Sequence, residues 1–190
     1  MYLTNIIIIL SLIAWVFPPF RQYKSPFFVY FLLLAVADPF YLLLYECKLS
    51  FVPFKIIFHT LFLLSLIDFK DIKKILYVII PVTVISFLSY KFMVRNEITI
   101  IFAVIHTGII FILLQRLSKR IVLPDIEFNV FLMLLIFYES TLVTKFFISV
   151  VNIQKGMYYL YFTSAFEIFF AAAFSFIRED NKTFVIRIKK

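Results

Sequence analysis

Five side chains able to carry protons interrupt long apolar runs: Asp38, His59, His106, Glu139 and Glu167. The two histidines among them are the only ones in the chain. An ionisable residue at membrane depth costs about 2.5–3.5 kcal/mol on insertion scales, so such residues point to function by default. Carboxylates and imidazoles together are the material of proton relays, pH-responsive pockets and metal sites. Asp38 poses the question most sharply. It stands in the middle of "LLLAVADPFYLLLYE" and is followed by Pro39, which removes a backbone donor and leaves the carbonyl one turn back free to join a polar site.

The surrounding composition decides what kind of element can hold these groups. Of 190 residues, 64% are hydrophobic and 27 are phenylalanine. A water-soluble domain of this size needs far more polar surface. The apolar residues fall into blocks bounded by charges, the pattern of transmembrane helices. The expectation is an all-α integral membrane protein with no room for a separate soluble domain. Seven spans are predicted, at roughly 3–20, 26–45, 51–67, 73–92, 97–116, 127–151 and 157–177. The third is short and carries Pro53 and Lys55 near its start, so it is the weakest of the seven. The leader "MYLTN" has no basic region, and no small-residue cleavage site follows the first block, so that block reads as a retained helix.

Charge placement orients the bundle. The first, third and fifth loops with the tail hold Arg21, Lys24, Lys70, Lys73, Lys74, Arg116, Lys119, Arg120, Arg178, Lys182, Arg187, Lys189 and Lys190. The other side holds Lys48, Lys55, Lys91, Arg95 and Lys155. Thirteen against five predicts the N-terminus outside and the C-terminus in the cytoplasm, in a multi-pass protein of the cytoplasmic (inner) membrane. The net charge of +8 is spread between apolar blocks, which speaks against a nucleic-acid surface. The tail after Ile177, "REDNKTFVIRIKK", reads as a short basic cytoplasmic segment over 178–190. It is expected either to fray or to lie on an anionic leaflet. Its "NKT" sequon falls on the cytoplasmic side and is not expected to be glycosylated.

Helix rise then sets the depth of each titratable group. His59, His106 and Glu167 lie 11, 10 and 11 residues before the first inner basic residue of their spans, Lys70, Arg116 and Arg178. That is roughly 15–17 Å. Asp38 and Glu139 lie roughly 18 Å from the inner ends of theirs. All five therefore fall near the midplane of a hydrocarbon core about 30 Å thick. At a shared depth they can meet the insertion cost together, by pairing around one small wet cavity. Two stripes of small residues suggest inward faces, Ser164, Ala171 and Ser175 beside Glu167, and Thr99, Ala103 and Thr107 beside His106. Lys145 lies nearer the outer end of its span and is expected to snorkel outward; in the sixth span it is not placed like a retinal-type Schiff-base lysine.

A fainter pattern links two spans. "FHTLFLLSLIDFK" and "IHTGIIFILLQR" share His-Thr at the same depth and direction, as three copies of a helical hairpin would, with Glu167 at the third histidine position.

Three functions fit such a belt. The first is a sensor or receptor-like module that binds a small or amphipathic ligand and signals through a protein partner or homo-oligomer. The second is proton- or ion-coupled transport, although broken transporter helices usually use more glycine than Gly108 and Gly156. The third is a haem, iron or zinc site using His59 and His106, which as an enzyme could hydrolyse lipid. No HExxH spacing supports it, and Ser140 beside Glu139 has no nucleophile-elbow context. Cys47 is the only cysteine, so no CxxC metal or redox pair exists.

Overall fold

A computed structural model describes residues 2–67, 95–121, 126–151 and 156–188, with two isolated positions, Ile80 and Val84. Among the described residues six α-helices form: α1 (Tyr2–Arg21), α2 (Phe28–Glu46), α3 (Val52–Ser65), α4 (Arg95–Ile121), α5 (Val130–Val151) and α6 (Gly156–Phe176). Two short strands, β1 (Ile126–Asn129) and β2 (Val185–Ile188), complete the described chain. Among the described residues three helical stretches are long and apolar enough to cross a membrane, Phe28–Glu46, Glu97–Arg120 and Val130–Val151. Ile9–Arg21, Val52–Ser65 and Phe162–Phe176 are shorter apolar stretches. The expected span at 73–92 lies outside the described residues.

Helix ends follow from local chemistry in a chain with almost no glycine. Lys48 takes a left-handed conformation (φ 55°) at the end of α2, where glycine is the usual residue. Leu49 N–H then donates back to Leu44 O at 2.9 Å, closing a Schellman turn on carbonyls that would otherwise be orphaned. Asn129 starts α5 as an N-cap, its side-chain oxygen accepting from Leu132 N–H at 3.2 Å. Side chains from neighbouring helices finish two further ends. Gln22, wholly buried, donates to Phe174 O (3.2 Å) and Ile177 O (2.8 Å) at the end of α6. Arg116 donates to Leu66 O just past α3, with its guanidinium over the Phe27 ring.

The helices pack as a closed ring in chain order, α1 to α6 and back to α1. Most neighbours are antiparallel, as short connections require. Two pairs are parallel. Matching contacts at both levels, His59 with His106 and Leu66 with Arg116, run α3 alongside α4, and Gln22 with Ile177 sets α1 beside α6.

The end of the bundle holding the α1–α2 turn is packed solid. Phe27, Phe31, Phe131 and Phe174 are all wholly buried there and stack on one another with centroids 5.0–6.1 Å apart. Such ring pairs add about 0.5–1.5 kcal/mol each beyond burial.

Two features depart from the sequence expectations. Residues 126–129 form a strand and the sixth span starts at Val130, because β2 returns from the tail to pair with β1 in antiparallel register, Glu127 opposite Arg187 and Phe128 opposite Ile186. Residues 185–188 of the tail are therefore paired in a ribbon. Second, the stripe Thr99–Ala103–Thr107 is not the inward face of α4: Thr107 is exposed. The buried face is Phe102, His106, Ile109 and Leu113, a helical repeat set by large side chains.

The ribbon is anchored by Glu179, which accepts from Arg120 at 2.5 Å while its backbone carbonyl accepts from Asn129 at 3.1 Å. Burial pushes the Glu179 carboxyl above its ordinary value, against the lowering pull of Arg120 and Arg116. A carboxyl raised in the fold favours the folded state below its unfolded value, and this contribution is lost as pH rises through the folded one. Arg120→Ala is therefore expected to loosen the ribbon by about 1–2 kcal/mol at pH 8 and by less at pH 5, where Glu179 can take up a proton. Glu179→Gln is expected to leave it intact. Amide exchange over 126–129 and 185–188 measures both.

Candidate functional site

The site grows from helix faces that the sequence repeats make plain. On α2, Tyr30, Leu34, Ala37, Asp38 and Tyr41 recur at three- and four-residue steps. On α3, Lys55, His59 and Phe62 do the same, and on α5 so do Tyr138, Leu142 and Lys145. His106 comes from α4 and Glu167 from α6. All but Tyr30 line one cavity of about 200 Å³ inside the ring, with Trp15 of α1 and Phe146 of α5.

Behind this cavity runs a continuous hydrogen-bonded chain. His59 Nδ1 lies 2.8 Å from His106 Nε2. His106 Nδ1 lies 2.5 Å from Glu139 Oε2, both side chains wholly buried. The other carboxylate oxygen, Oε1, accepts from the Tyr30 hydroxyl. Four helices thus contribute one group each. With Glu139 ionised, Tyr30 O–H and His106 Nδ1–H both donate to it, and His59 Nδ1–H donates to His106 Nε2. His59 Nε2 is then the acceptor end of the chain, on a ring that lines the cavity. A proton taken up there can be passed inward: His59 Nδ1–H moves to His106 Nε2, and His106 Nδ1–H can move to Glu139. Every heavy atom keeps its partner; only protons shift. Phe102 (centroid 4.2 Å from His59) and Phe146 (5.4 Å from His106) wall the pair with apolar rings.

A second polar group faces the same space. Lys145 Nζ lies 2.6 Å from Glu167 Oε1, joining α5 to α6. Lys55 Nζ sits over the Tyr41 ring (5.3 Å) and the Phe51 ring (4.9 Å). Asp38, Tyr41, Lys55, Lys145 and Glu167 line both the inner cavity and an outer one of about 340 Å³, which reaches Tyr45 and Phe51 at the α2–α3 end of the bundle. The Tyr41 hydroxyl is buried with no hydrogen-bond partner among the described residues.

The five sequence-derived residues are thus divided into two groups. His59, His106 and Glu139 form the chain, while Asp38 and Glu167 lie one turn or so nearer the α2–α3 end, among two lysines. Lys145 does not snorkel away. Glu167 offers it a charge-assisted bond at the cavity wall. Tyr30, Tyr41 and Lys55 were missed as site residues. The signal for Lys55 was present, since it lies one helical turn before His59; Tyr30 carried none, because tyrosines are common in apolar runs.

The echo between the two His-Thr pairs has structural content. Thr60 and Thr107 each donate to their own helix four residues back, to Ile56 O (2.9 Å) and Ala103 O (2.8 Å), while the histidines meet each other. Glu167, in the third position, pairs with Lys145 instead.

His59 and His106, the residues of the metal and haem expectation, bond to each other in this arrangement. Both nitrogens of His106 are taken up by hydrogen bonds. The two rings touch, so a haem iron has no space between them. Among the described residues no group of three or more His, Cys, Asp or Glu side chains is gathered as metal ligands. The Ser140 hydroxyl donates to Ile136 O at 2.8 Å and is part of its own helix turn.

No protein-family model, curated protein or solved structure matches the chain.

Proposed function

We infer that this is a polytopic protein of the cytoplasmic membrane, and that it is a receptor-like module in which occupancy of an interior pocket is read through protonation of the His59–His106–Glu139–Tyr30 chain. The seven-span topology with the C-terminus inside remains the reading of the spans. It is supported by α3 and α4 running parallel, so that α3 ends and α4 begins at opposite ends of the bundle. It is also supported by Arg21, Lys24, Lys119 and Arg120 gathering at one end.

One observation carries the functional reading: a four-residue proton chain backs directly onto a cavity whose far end is sealed by wholly buried aromatic rings. A ligand entering from the α2–α3 end stops there. Protonation of His59 changes the charge facing it and the hydrogen bonds tying α2, α3, α4 and α5 together. The groups facing that chain are Asp38 and Tyr41 on α2, Lys55 on α3, Tyr138 and Lys145 on α5, and Glu167 on α6. A protein partner or second copy would carry the signal onward.

Trp15 is the sole tryptophan and lines the cavity, so its fluorescence reports the site directly. A reversible change is expected on acidification of protein in nanodiscs. His59→Gln is expected to abolish it, and a trace in the unaltered protein that stays flat until it unfolds would contradict the reading.

Proton-coupled transport is the second reading, favoured by the same chain being a ready relay. It predicts solute or proton flux in liposomes that is lost with Glu139→Gln or Glu167→Gln.

A further inference from the structure

We propose that the paired cavities bind a small zwitterion of the amino-acid class, its ammonium at Asp38, its carboxylate at Lys145 and Lys55, and an apolar side chain against the wall between them. This rests on the ligand-pocket reading above and names the chemistry of the ligand.

Charge balance carries the argument. The shared cavity walls hold two acidic side chains, Asp38 and Glu167, and two basic ones, Lys55 and Lys145, so their formal charges balance. In a low-dielectric ring, adding a single unpaired charge is costly. A ligand with both signs and no net charge leaves no unpaired charge behind, since each of its groups meets one of opposite sign in the walls. Lys145 uses one of its three donors on Glu167 and can offer another to a carboxylate at the same point. Among the described residues no hydrogen bond or ion pair ties Asp38 down, and its side chain is exposed to the cavity.

The orphaned Tyr41 hydroxyl is the second observation. A buried hydroxyl with no partner is destabilising, and this one lies in the same wall three residues after Asp38, one helical turn on. An ammonium or carboxylate held at Asp38 or Lys55 satisfies it. Apolar side chains form much of the remaining lining, Leu12, Leu42 and Phe51 in the outer chamber beside Ser11, Tyr45 and Ser164, and Leu34, Leu142 and Phe146 in the inner beside the histidines. A volume of about 340 Å³ lies at the small end of ligand sites, enough for one amino acid with an aliphatic side chain.

The test uses the full chain in nanodiscs, Trp15 fluorescence and calorimetry, and three probes of matched shape: L-leucine, 4-methylpentanoate, which lacks the ammonium, and 3-methylbutylamine, which lacks the carboxylate. Leucine is expected to bind saturably, and each truncated probe about tenfold more weakly or worse. Asp38→Asn is expected to weaken leucine about tenfold, and Tyr41→Phe, which keeps the ring packing, several-fold. Equal binding of either truncated probe, or no binding of leucine at millimolar concentration, overturns the proposal. The ligand-free pH response of Trp15 separates the two levels. If it persists while leucine fails, only the zwitterion assignment falls; if it is absent, the pocket reading falls with it.

Discussion

Glu139→Ala is expected to lower the stability of the bundle by about 3–5 kcal/mol, the largest loss from any single substitution in the site. The carboxylate accepts from Tyr30 and from His106, and all three side chains are wholly buried. Truncation leaves a phenol and an imidazole unpaired in the interior, and the cost of an unmade bond there exceeds the modest value of a made one. Glu139→Gln behaves differently. Its amide oxygen can accept from Tyr30 while its NH₂ donates to His106 Nδ1, so the fold is expected to hold within about 1 kcal/mol. The donation forces the His106 proton to Nε2 and reverses the polarity of the bond to His59. Glutamine also has no second charge state to offer a proton. The expected result is a folded protein whose Trp15 fluorescence no longer responds to pH. Unfolding of the two variants in detergent micelles, beside the pH titration, checks both parts. A stable alanine variant would mean that the chain does not hold the helices together.

The second large effect concerns the aromatic seal. Phe174 is wholly buried and meets Trp15, Phe31, Phe131, Tyr138 and Phe170 with ring centroids 5.0–6.4 Å away. Phe174→Ala removes one ring from the centre of that layer, and soluble cores lose about 3–5 kcal/mol on such a change. In a membrane the transfer term shrinks, since lipid tails are as apolar as the interior, while the lost packing remains. A loss of about 2–3 kcal/mol is the expected value. The functional consequence is more specific. The cavity gains a route toward the α1–α2 end, so a water-soluble quencher applied from that side should reach Trp15 in the variant and not in the parent. Phe174→Leu, which refills most of the volume, is expected to restore the seal. A parent protein already open to the quencher from both sides would show that the aromatic layer does not close the pocket.

The helical elements were largely legible in the sequence because a lipid-facing helix must be apolar along its whole length. The runs that predicted spans at 26–45 and 157–177 become α2 and α6 within a few residues. The start of the sixth span was misread because Ile126 and Phe128 are as apolar as the helix they precede; only pairing with Val185–Ile188, far away in sequence, makes them a strand. The inward face of α4 was misread for a related reason. Small residues can line a helix interface or a lipid-facing groove equally well, and which they do depends on what packs opposite.

Position along each helix follows from counting residues, so the sequence by itself identified Asp38, His59, His106, Glu139 and Glu167 as the groups worth explaining. Rotation about each helix axis and the choice of partner do not follow from counting. Only the tertiary structure decided that His59 meets His106, that Glu139 bonds Tyr30 as well as a histidine, and that Lys145 turns to Glu167. The physical reason is that a hydrophobic run is apolar on every face, so it carries no moment to say which side turns inward. The polar side chains settle that question by finding one another.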